Sequence, residues 1–213
     1  MEVDHIFIFS KNKGQEADEF VKFGFTEGSS RVHIGQGTVN RKFYFQNFFI
    51  EILWVESEEE IKSELILPTK LWERAFFMNN QYSPFGMCLV NTNETDLLFK
   101  KCIKYQPEYF PKGLEIEILT NEKNPKLPWT FRLPFKGEKK KVDEPITHKN
   151  GIKTLTNTEF KLPIIQDEFT SYFINEKFIQ FENSLETNLT LTFDENLNKK
   201  EFRFKNLPLI IKY

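Results

Sequence analysis

Cysteine and alanine are scarce in this chain of 213 residues, and long apolar runs are missing. The two cysteines, Cys88 and Cys102, form no CxxC pair and match no zinc-ligand spacing, so we expect buried, reduced thiols. Reduced thiols suit a reducing compartment. No segment reaches transmembrane length and the first residues carry no basic leader. The sequence therefore predicts a soluble, cytoplasmic protein with no membrane partner.

An excess of charge of either sign is also missing. The chain has 29 basic and 31 acidic residues, which leaves a net charge of -2. This balance gives no electrostatic reason to expect a nucleic acid partner. There is no Ser/His/Asp or Cys/His nucleophile arrangement, no GxGxxG motif, no P-loop and no HExxH motif. Covalent catalysis, nucleotide hydrolysis and zinc proteolysis are disfavoured accordingly.

Phenylalanine is abundant, with 24 residues, whereas alanine occurs only at Ala17 and Ala75. These rings supply large aromatic surfaces for a core or a pocket, and a core is the default expectation. The length fits one large domain or two small halves that share a core.

The first 55 residues predict a β-α-β-β-β order. In the segment 3–10, alternation places His5, Phe7 and Phe9 on one face of a strand and Ile6 and Ile8 on the other. The spacing at 17–21 predicts a helix that a glycine ends at position 24. Strands are expected at 31–34, 38–46 and 48–55.

Residues 56–84 predict a helical connection, because Ser57 to Glu60 form a capping-box pattern and Pro68 should end that helix. The rest, 85–213, begins with a strand at 85–91 and a helix that carries Leu97, Leu98 and Cys102. Further strands are expected at 114–120, 129–133, 152–162, 189–193, 202–204 and 209–213, with a helix at 167–176.

Three stretches carry a resemblance to a known family. Asp4-His5-Ile6 opens the first strand, His33 to Arg41 (HIGQGTVNR) leads into the third, and Glu51 to Val55 (EILWV) forms the fourth. At this spacing they resemble the vicinal oxygen chelate superfamily, which includes glyoxalases, bleomycin resistance proteins and dioxygenases. The resemblance is specific over residues 1–55 and loose beyond them.

The resemblance implies an α+β fold of paired βαβββ modules, which form a curved mixed sheet around a concave cleft. The first module would be 1–55, and 85–213 would hold the second with an additional strand-helix-strand extension. Whether 85–134 or 152–213 forms the second module stays open. In the superfamily, metal ligands lie on the first and fourth strands, which implies His5 and Glu51. The second half offers no matching ligand.

His5 and Glu51 therefore have three readings: ligands of one divalent metal ion, an acid/base pair with Glu51 as the catalytic base, or a buried hydrogen bond. Polar residues near the GQG corner are candidates to bind a substrate, although a solvated corner explains them equally well. Arg41 suits either a substrate carboxylate or a surface salt bridge. The candidate substrate-binding residues are His33, Gln36, Thr38, Asn40, Arg41, Phe7, Phe9 and His148.

The leading functional prediction is a glyoxalase-like protein that binds a small organic molecule, with or without transforming it by lyase, isomerase or dioxygenase chemistry. One alternative is a metal-free protein that sequesters a small compound, as resistance proteins do. Another is a structural protein whose cleft is filled by its own aromatic residues. Substrate and metal identity stay open, and the chain is expected to be a monomer or homodimer.

Overall fold

A computed structural model describes residues 1–137, 139, 143–164 and 167–213. Within them the protein is α+β, with few and short helices. None of those helices is long and apolar enough to cross a membrane. The strands are β1 (Val3–Phe9), β2 (Ser30–His33), β3 (Thr38–Tyr44), β4 (Phe49–Val55), β5 (Phe85–Asn91), β6 (Ile103–Tyr105), β7 (Ile116–Leu119), β8 (Trp129–Lys136), β9 (Leu155–Leu162), β10 (Ile179–Asn183), β11 (Asn188–Phe193), β12 (Glu201–Arg203) and β13 (Leu209–Lys212). The α-helices are α1 (Ala17–Phe23), α2 (Glu58–Ile61), α3 (Leu71–Ala75) and α4 (Glu168–Ser171).

Two mixed sheets organise these strands. The first has eight strands in the order β2-β3-β4-β1-β5-β8-β7-β6, and the second has five in the order β10-β9-β11-β13-β12. In the first sheet β1 runs parallel to β4, and β5 runs parallel to β8. Strands β1 and β5 are antiparallel neighbours, so two four-stranded groups meet edge to edge at the centre. The eight-stranded sheet curls into a half-barrel.

Side-chain alternation along β1 separates two hydrophobic clusters. Ile6 and Ile8 belong to a cluster that also contains residues of the second sheet and of α1, here called the intersheet core. Phe7 and Phe9 lie on the opposite, concave face, here called the trough face. The alternation predicted from the sequence is therefore confirmed. The trough cluster consists of Phe7, Phe9, Leu53, Ile61, Ile66, Leu71, Tyr105, Ile116, Ile118 and Trp129.

The connection between the two strand groups folds into the trough. Ser57 caps α2 by accepting a hydrogen bond from the Glu60 N–H at 3.2 Å, as its sequence pattern predicts. The helix ends at Ile61, earlier than expected, and Pro68 lies in a separate 3-10 turn at Leu67–Thr69 instead of ending it. Ile61, Ile66 and Leu71 from this connection are buried among the trough aromatics. One end of the trough is thus closed by the chain itself.

Two predicted helices are much shorter than expected. The segment that carries Leu97 and Leu98 forms two 3-10 turns, at Asn93–Thr95 and Leu98–Lys101. Leu97 is 69% exposed, so only one side of this segment packs against the protein. The helix expected at 167–176 is reduced to the single turn of α4, which the Asp167 side chain caps at the Phe169 N–H. Neither segment gains enough apolar contact to propagate a helix.

His148 lies in the intersheet region rather than over the mouth of a cleft, which corrects its assignment as a substrate-binding residue. Its ring contacts Phe25 and Phe45, with centroids 5.1 and 4.5 Å away. Its Nδ1 accepts a hydrogen bond from the Thr26 N–H at 3.0 Å, and the side chain is buried. The Lys149 N–H donates a hydrogen bond to the Gly24 carbonyl. This bond holds the segment before the Asn-Gly turn so that the imidazole points inward.

The closeness of Phe7 to Gly86 makes a substitution at Gly86 informative. A Cβ atom at this position would lie 2.0 Å from Cε1 of Phe7, because the ring lies directly on the glycine. We expect Gly86→Ala to lower the free energy of unfolding by about 1–3 kcal/mol through overpacking. Urea denaturation measures this. In the Phe7→Leu background the same substitution should cost less, and equal cost in both backgrounds would contradict the packing argument.

The pH dependence of stability should report His148. Burial lowers the pKa of His148 below 6.5 and outweighs the opposing effect of the Tyr44 backbone. Below pH 6.5 the imidazole of His148 is therefore protonated more readily in the unfolded chain than in the folded chain. As the pH falls, this group lowers the free energy of unfolding by at most about 1.4 kcal/mol per pH unit. We expect His148→Gln to reduce the stability difference between pH 7.5 and pH 5.5. An unchanged difference in urea denaturation would refute this assignment.

Candidate functional site

The register of the central strands arranges side chains in rows across the trough face. Phe49 pairs with His5, His5 with Cys88, and Cys88 with Phe131. Directly paired residues point to the same face, so all four side chains project into the trough. The His5 ring stacks on Phe49 at a centroid distance of 4.3 Å and meets Phe131 edge-on at 5.3 Å. An imidazole is thereby held between two aromatic rings.

A β-bulge at Asp4 gives His5 its partner. Val3 pairs with Leu89 and His5 with Cys88, so Asp4 is an extra residue on β1. The bulge lets Val3 join the intersheet core while Asp4 turns towards His5. The His5 Nδ1 lies 2.6 Å from an Asp4 carboxylate oxygen. Because a carboxylate accepts only, Nδ1 carries the proton and Nε2 keeps its lone pair when the ring is neutral.

Glu51 occupies the next row on the same face, opposite Phe7 on one side and Lys42 on the other. Its side chain is buried, with 9% of its surface exposed. Within the described residues, its carboxylate accepts no hydrogen bond and forms no ion pair within 4.0 Å. Its negative charge is felt at His33 and Tyr109. His5 and Glu51 are therefore diagonal neighbours on one face, not a bonded pair.

Hydrogen bonds to Gln36 join opposite edges of the curled sheet. Gln36 lies in the turn between β2 and β3, and its Oε1 accepts hydrogen bonds from Tyr109 at 3.1 Å and Tyr105 at 3.4 Å. Its Nε2 donates to Thr38, which also contacts the His33 Nδ1 at 2.9 Å. Burial raises the pKa of both tyrosines and lowers that of His33. The side chains of Gln36, Thr38, His33 and the two tyrosines therefore close the middle of the trough without carrying a charge.

The two remaining candidates of the GQG stretch lie on opposite faces of β3. Asn40 is buried on the trough face, and its Oδ1 accepts a hydrogen bond from the Arg31 N–H at 2.8 Å. Its Nδ2 is buried without a partner among the described residues. Arg41 points away, towards Glu27 and Asp18, which hold its guanidinium at 2.6 and 2.8 Å. The salt-bridge alternative therefore describes Arg41 in this structure, and its assignment to a substrate site stays a prediction.

The metal-ligand pair expected from the resemblance does not form a compact donor set. The ligand atoms that lie within 4.8 Å of one another belong to Asp4, His5 and Cys88, and Glu51 is outside this group. Asp4 already holds His5, and Cys88 is fully buried. Burial, together with Asp4 and Glu51, raises the pKa of the Cys88 thiol and keeps it protonated. These donors do not fit a catalytic divalent ion, which needs three available ligands.

Phe7 and Phe9 are core residues of the trough rather than walls of an open pocket. They are 3% and 1% exposed, and Phe7 contacts Phe9 and Trp129 at centroid distances of 5.4 and 5.7 Å. We call Asp4, His5 and Glu51, together with Asn40 in the row of Phe9 and Leu53, the polar end of the trough. None of its residues lines any of five cavities found among the described residues.

Neither Asp4 nor Tyr109 carries a sequence signal that marks it as functional. Asp4 belongs to the DHI stretch, but strict strand alternation places it on the face opposite His5. Only the bulge reverses this, and no glycine or proline marks it. Tyr109 belongs to a segment without periodicity, and it reaches the site because the sheet curls until β6 approaches the β2–β3 turn. Both contacts depend on tertiary structure.

Comparison with solved structures supports the overall fold. No family model matches the chain, and no curated protein matches its sequence. Among solved structures, a hypothetical protein from Staphylococcus aureus is similar over 99% of this chain and 98% of its own, with a TM-score of 0.57 and 13% identity. A hypothetical protein from Bacillus halodurans C-125 covers 67% of this chain with a TM-score of 0.41 and 11% identity. The chain therefore shares its overall fold with the staphylococcal protein.

Proposed function

We propose that this chain is a glyoxalase-like protein that binds a small organic molecule at the polar end of its trough. The arrangement of strands supports the assignment to paired βαβββ modules. In β1–β4 and in β5–β8 alike, the first strand is parallel to the fourth, and the second, third and fourth are antiparallel neighbours. On this assignment, residues 85–136 form the second module, and residues 155–212 are an additional sheet.

One observation carries the proposed binding site. The Asn40 Nδ2 is buried without a hydrogen-bond partner in the described part of the chain, and Glu51, which is 9% exposed on the same face, accepts no hydrogen bond there. Leaving a buried donor unpaired costs about 1–3 kcal/mol. A molecule that offers a donor to Glu51 and an acceptor to Asn40 recovers this cost. Flat neighbours such as Phe49 favour an aromatic or planar ligand.

Any proton transfer at this site would fall to His5 and Glu51. Asp4 orients the imidazole so that its Nε2 can accept a proton, as the carboxylate of a catalytic triad does. Glu51 is the second base within the same face. Because the donor set does not suit a divalent ion, the proposed function is metal-free binding. Acid/base turnover by His5 and Glu51 would extend this function.

Benzamide tests the proposal because it carries one donor and one acceptor on a flat ring. We expect it to raise the free energy of unfolding by about 2.7 kcal/mol at a concentration one hundred times its Kd, whereas benzoate, which would repel Glu51, does not. Glu51→Gln should abolish the preference for benzamide. Glu58→Gln, at a helical position away from the trough, is the matched control. Equal stabilisation of the wild type and of Glu51→Gln would refute the site.

Metal analysis of the purified protein separates the metal-free proposal from a metal enzyme. We expect no stoichiometric divalent metal in the wild type and no change in metal content in His5→Ala. Stoichiometric metal that is lost in His5→Ala would contradict our reading of the donor set and restore the metal-dependent alternative.

The filled trough favours a second candidate, a structural protein without a ligand. Ten buried residues form the trough cluster, and the connection that holds Ile61 and Leu71 closes one end of it. The polar end would then serve only to orient the two strand groups. Under this alternative, Glu51→Gln raises the stability of the protein, because a buried charge without a partner is removed. A stability gain without benzamide binding would support it.

A further inference from the structure

A cavity of about 400 Å³ lies at the seam between the two sheets, beyond the end of β1. Its polar lining is supplied mainly by Lys11, Lys126 and Lys205, and we name it the lysine cavity. We propose that the lysine cavity is a binding site for an organic anion, a carboxylate or sulfonate that carries an aromatic body. This site is separate from the polar end of the trough and does not depend on the function proposed there.

The charge of the lining separates this cavity from the others. Three lysines line it and no aspartate or glutamate does. Each of the other four cavities described has three carboxylates in its lining. In a chain with nearly equal numbers of acidic and basic residues, a cavity lined by cations alone produces a local positive potential that attracts anions.

The three ammonium groups are also free to bind a ligand. In the described part of the chain, none of them lies within 4.0 Å of a carboxylate oxygen. The nearest acidic side chains along the adjoining segments are already engaged. Glu16 accepts hydrogen bonds from Ser10 and from the Lys11 N–H, and Glu19 accepts the Lys205 N–H at 3.1 Å and the Asn206 side chain. In the described part of the chain, both carboxylates bond to these neutral donors, and neither forms an ion pair with one of the three lysines.

The remaining lining is apolar and aromatic. Phe9 and Leu207 are buried and form part of the wall. Phe77 and Tyr82 add aromatic surface, and Met78, which is 63% exposed, stands at the opening. Concave sites with apolar walls and a few charged groups are typical of small-molecule binding. A simple inorganic anion would leave this apolar surface in contact with water.

A buried arginine adds positive charge behind the aromatic wall. The Arg74 guanidinium is fully buried and donates hydrogen bonds only to the carbonyl oxygens of Ser83, Thr120 and Leu127. Its central carbon lies 5.3 Å from the Tyr82 ring, which lines the cavity. Burial lowers its pKa to about 9, so the group stays charged at neutral pH. Carbonyl dipoles do not cancel a full charge, but Glu73 also acts on this guanidinium and on Tyr82, so the arginine contributes less than a full charge to the potential at the cavity.

The two proposed sites share no lining residue, so they can be tested independently. Glu51 pairs with Phe7, two residues before Phe9 on β1, and Asn40 lies in the row of Phe9 two strands away. The Phe9 side chain lies between the lysine cavity and the trough. A variant that affects one site should therefore leave binding at the other unchanged.

The probe for the lysine cavity is 2-naphthoate, with 2-naphthalenemethanol as its uncharged counterpart. By titration calorimetry at low salt, we expect the wild type to bind naphthoate at least about tenfold more tightly than the alcohol. Lys126→Gln with Lys205→Gln should remove this difference. Lys153→Gln with Lys177→Gln, which changes two exposed lysines outside the cavity, should keep it. Equal affinity for both probes in the wild type, or an unchanged preference in Lys126→Gln with Lys205→Gln, would overturn the proposal.

The three methionines allow the bound probe to be located directly. Met78 lines the lysine cavity, whereas Met87 is buried in the intersheet core and Met1 packs at the edge of that core. In a protein labelled with ¹³C at the methionine methyl groups, naphthoate should shift the Met78 signal through its ring current and leave Met87 in place. Glu51→Gln should give the same shift. A shift at Met87, or none at saturation, would contradict the assignment.

Discussion

Strand β1 is the constraint on which the molecule depends. It is buried on both faces and joins the two four-stranded groups, parallel to β4 and antiparallel to β5. Its alternation sends Ile6 and Ile8 into the intersheet core and Phe7 into the trough. Any change of register in β1 would exchange these two faces, because successive side chains point in opposite directions. The bulge at Asp4 lies near the start of the strand, so it moves only Val3 to the intersheet face and leaves the rest of β1 in register.

The curl of the large sheet explains why the trough is mostly closed. Hydrogen bonds from Tyr105 and Tyr109 to Gln36 bring opposite edges together, and the connection after β4 fills the apolar end. Large aromatic residues suit this arrangement. Because the chain has only two alanines, aromatic rings fill the concave surface, and close approach of backbones does not. What remains on the same face is a small group of polar side chains, among which the Asn40 Nδ2 is buried without a partner in the described part of the chain.

The sequence predicts the parts of this structure that depend on local periodicity. Alternation in β1 places His5 and Phe7 on one face, and the Ser57 cap marks the start of α2, and both are confirmed. Contacts between different helices, strands and loops could not be predicted from the sequence. Arg41 and His148 were candidates by residue type, yet each found a nearer partner, a carboxylate pair in one case and an aromatic core in the other. Residue type indicates what a group can bind, whereas the fold decides what lies beside it.

Local charge is where the fold adds most to the sequence. The chain as a whole is nearly neutral, but its acidic and basic groups are not paired evenly. Beside Phe7 of β1 a carboxylate, Glu51, is 9% exposed and accepts no hydrogen bond among the described residues, and beyond the end of β1 three lysines line a cavity without an acid. The carboxylate is costly to bury unless a ligand or ordered water offsets it, and the like charges of the lysines repel one another unless an anion lies between them. Two separate unbalanced sites, linked by one rigid strand, are more economically explained by two ligands than by structural need, since exchanging either charge for a neutral side chain would leave the strand pairing intact.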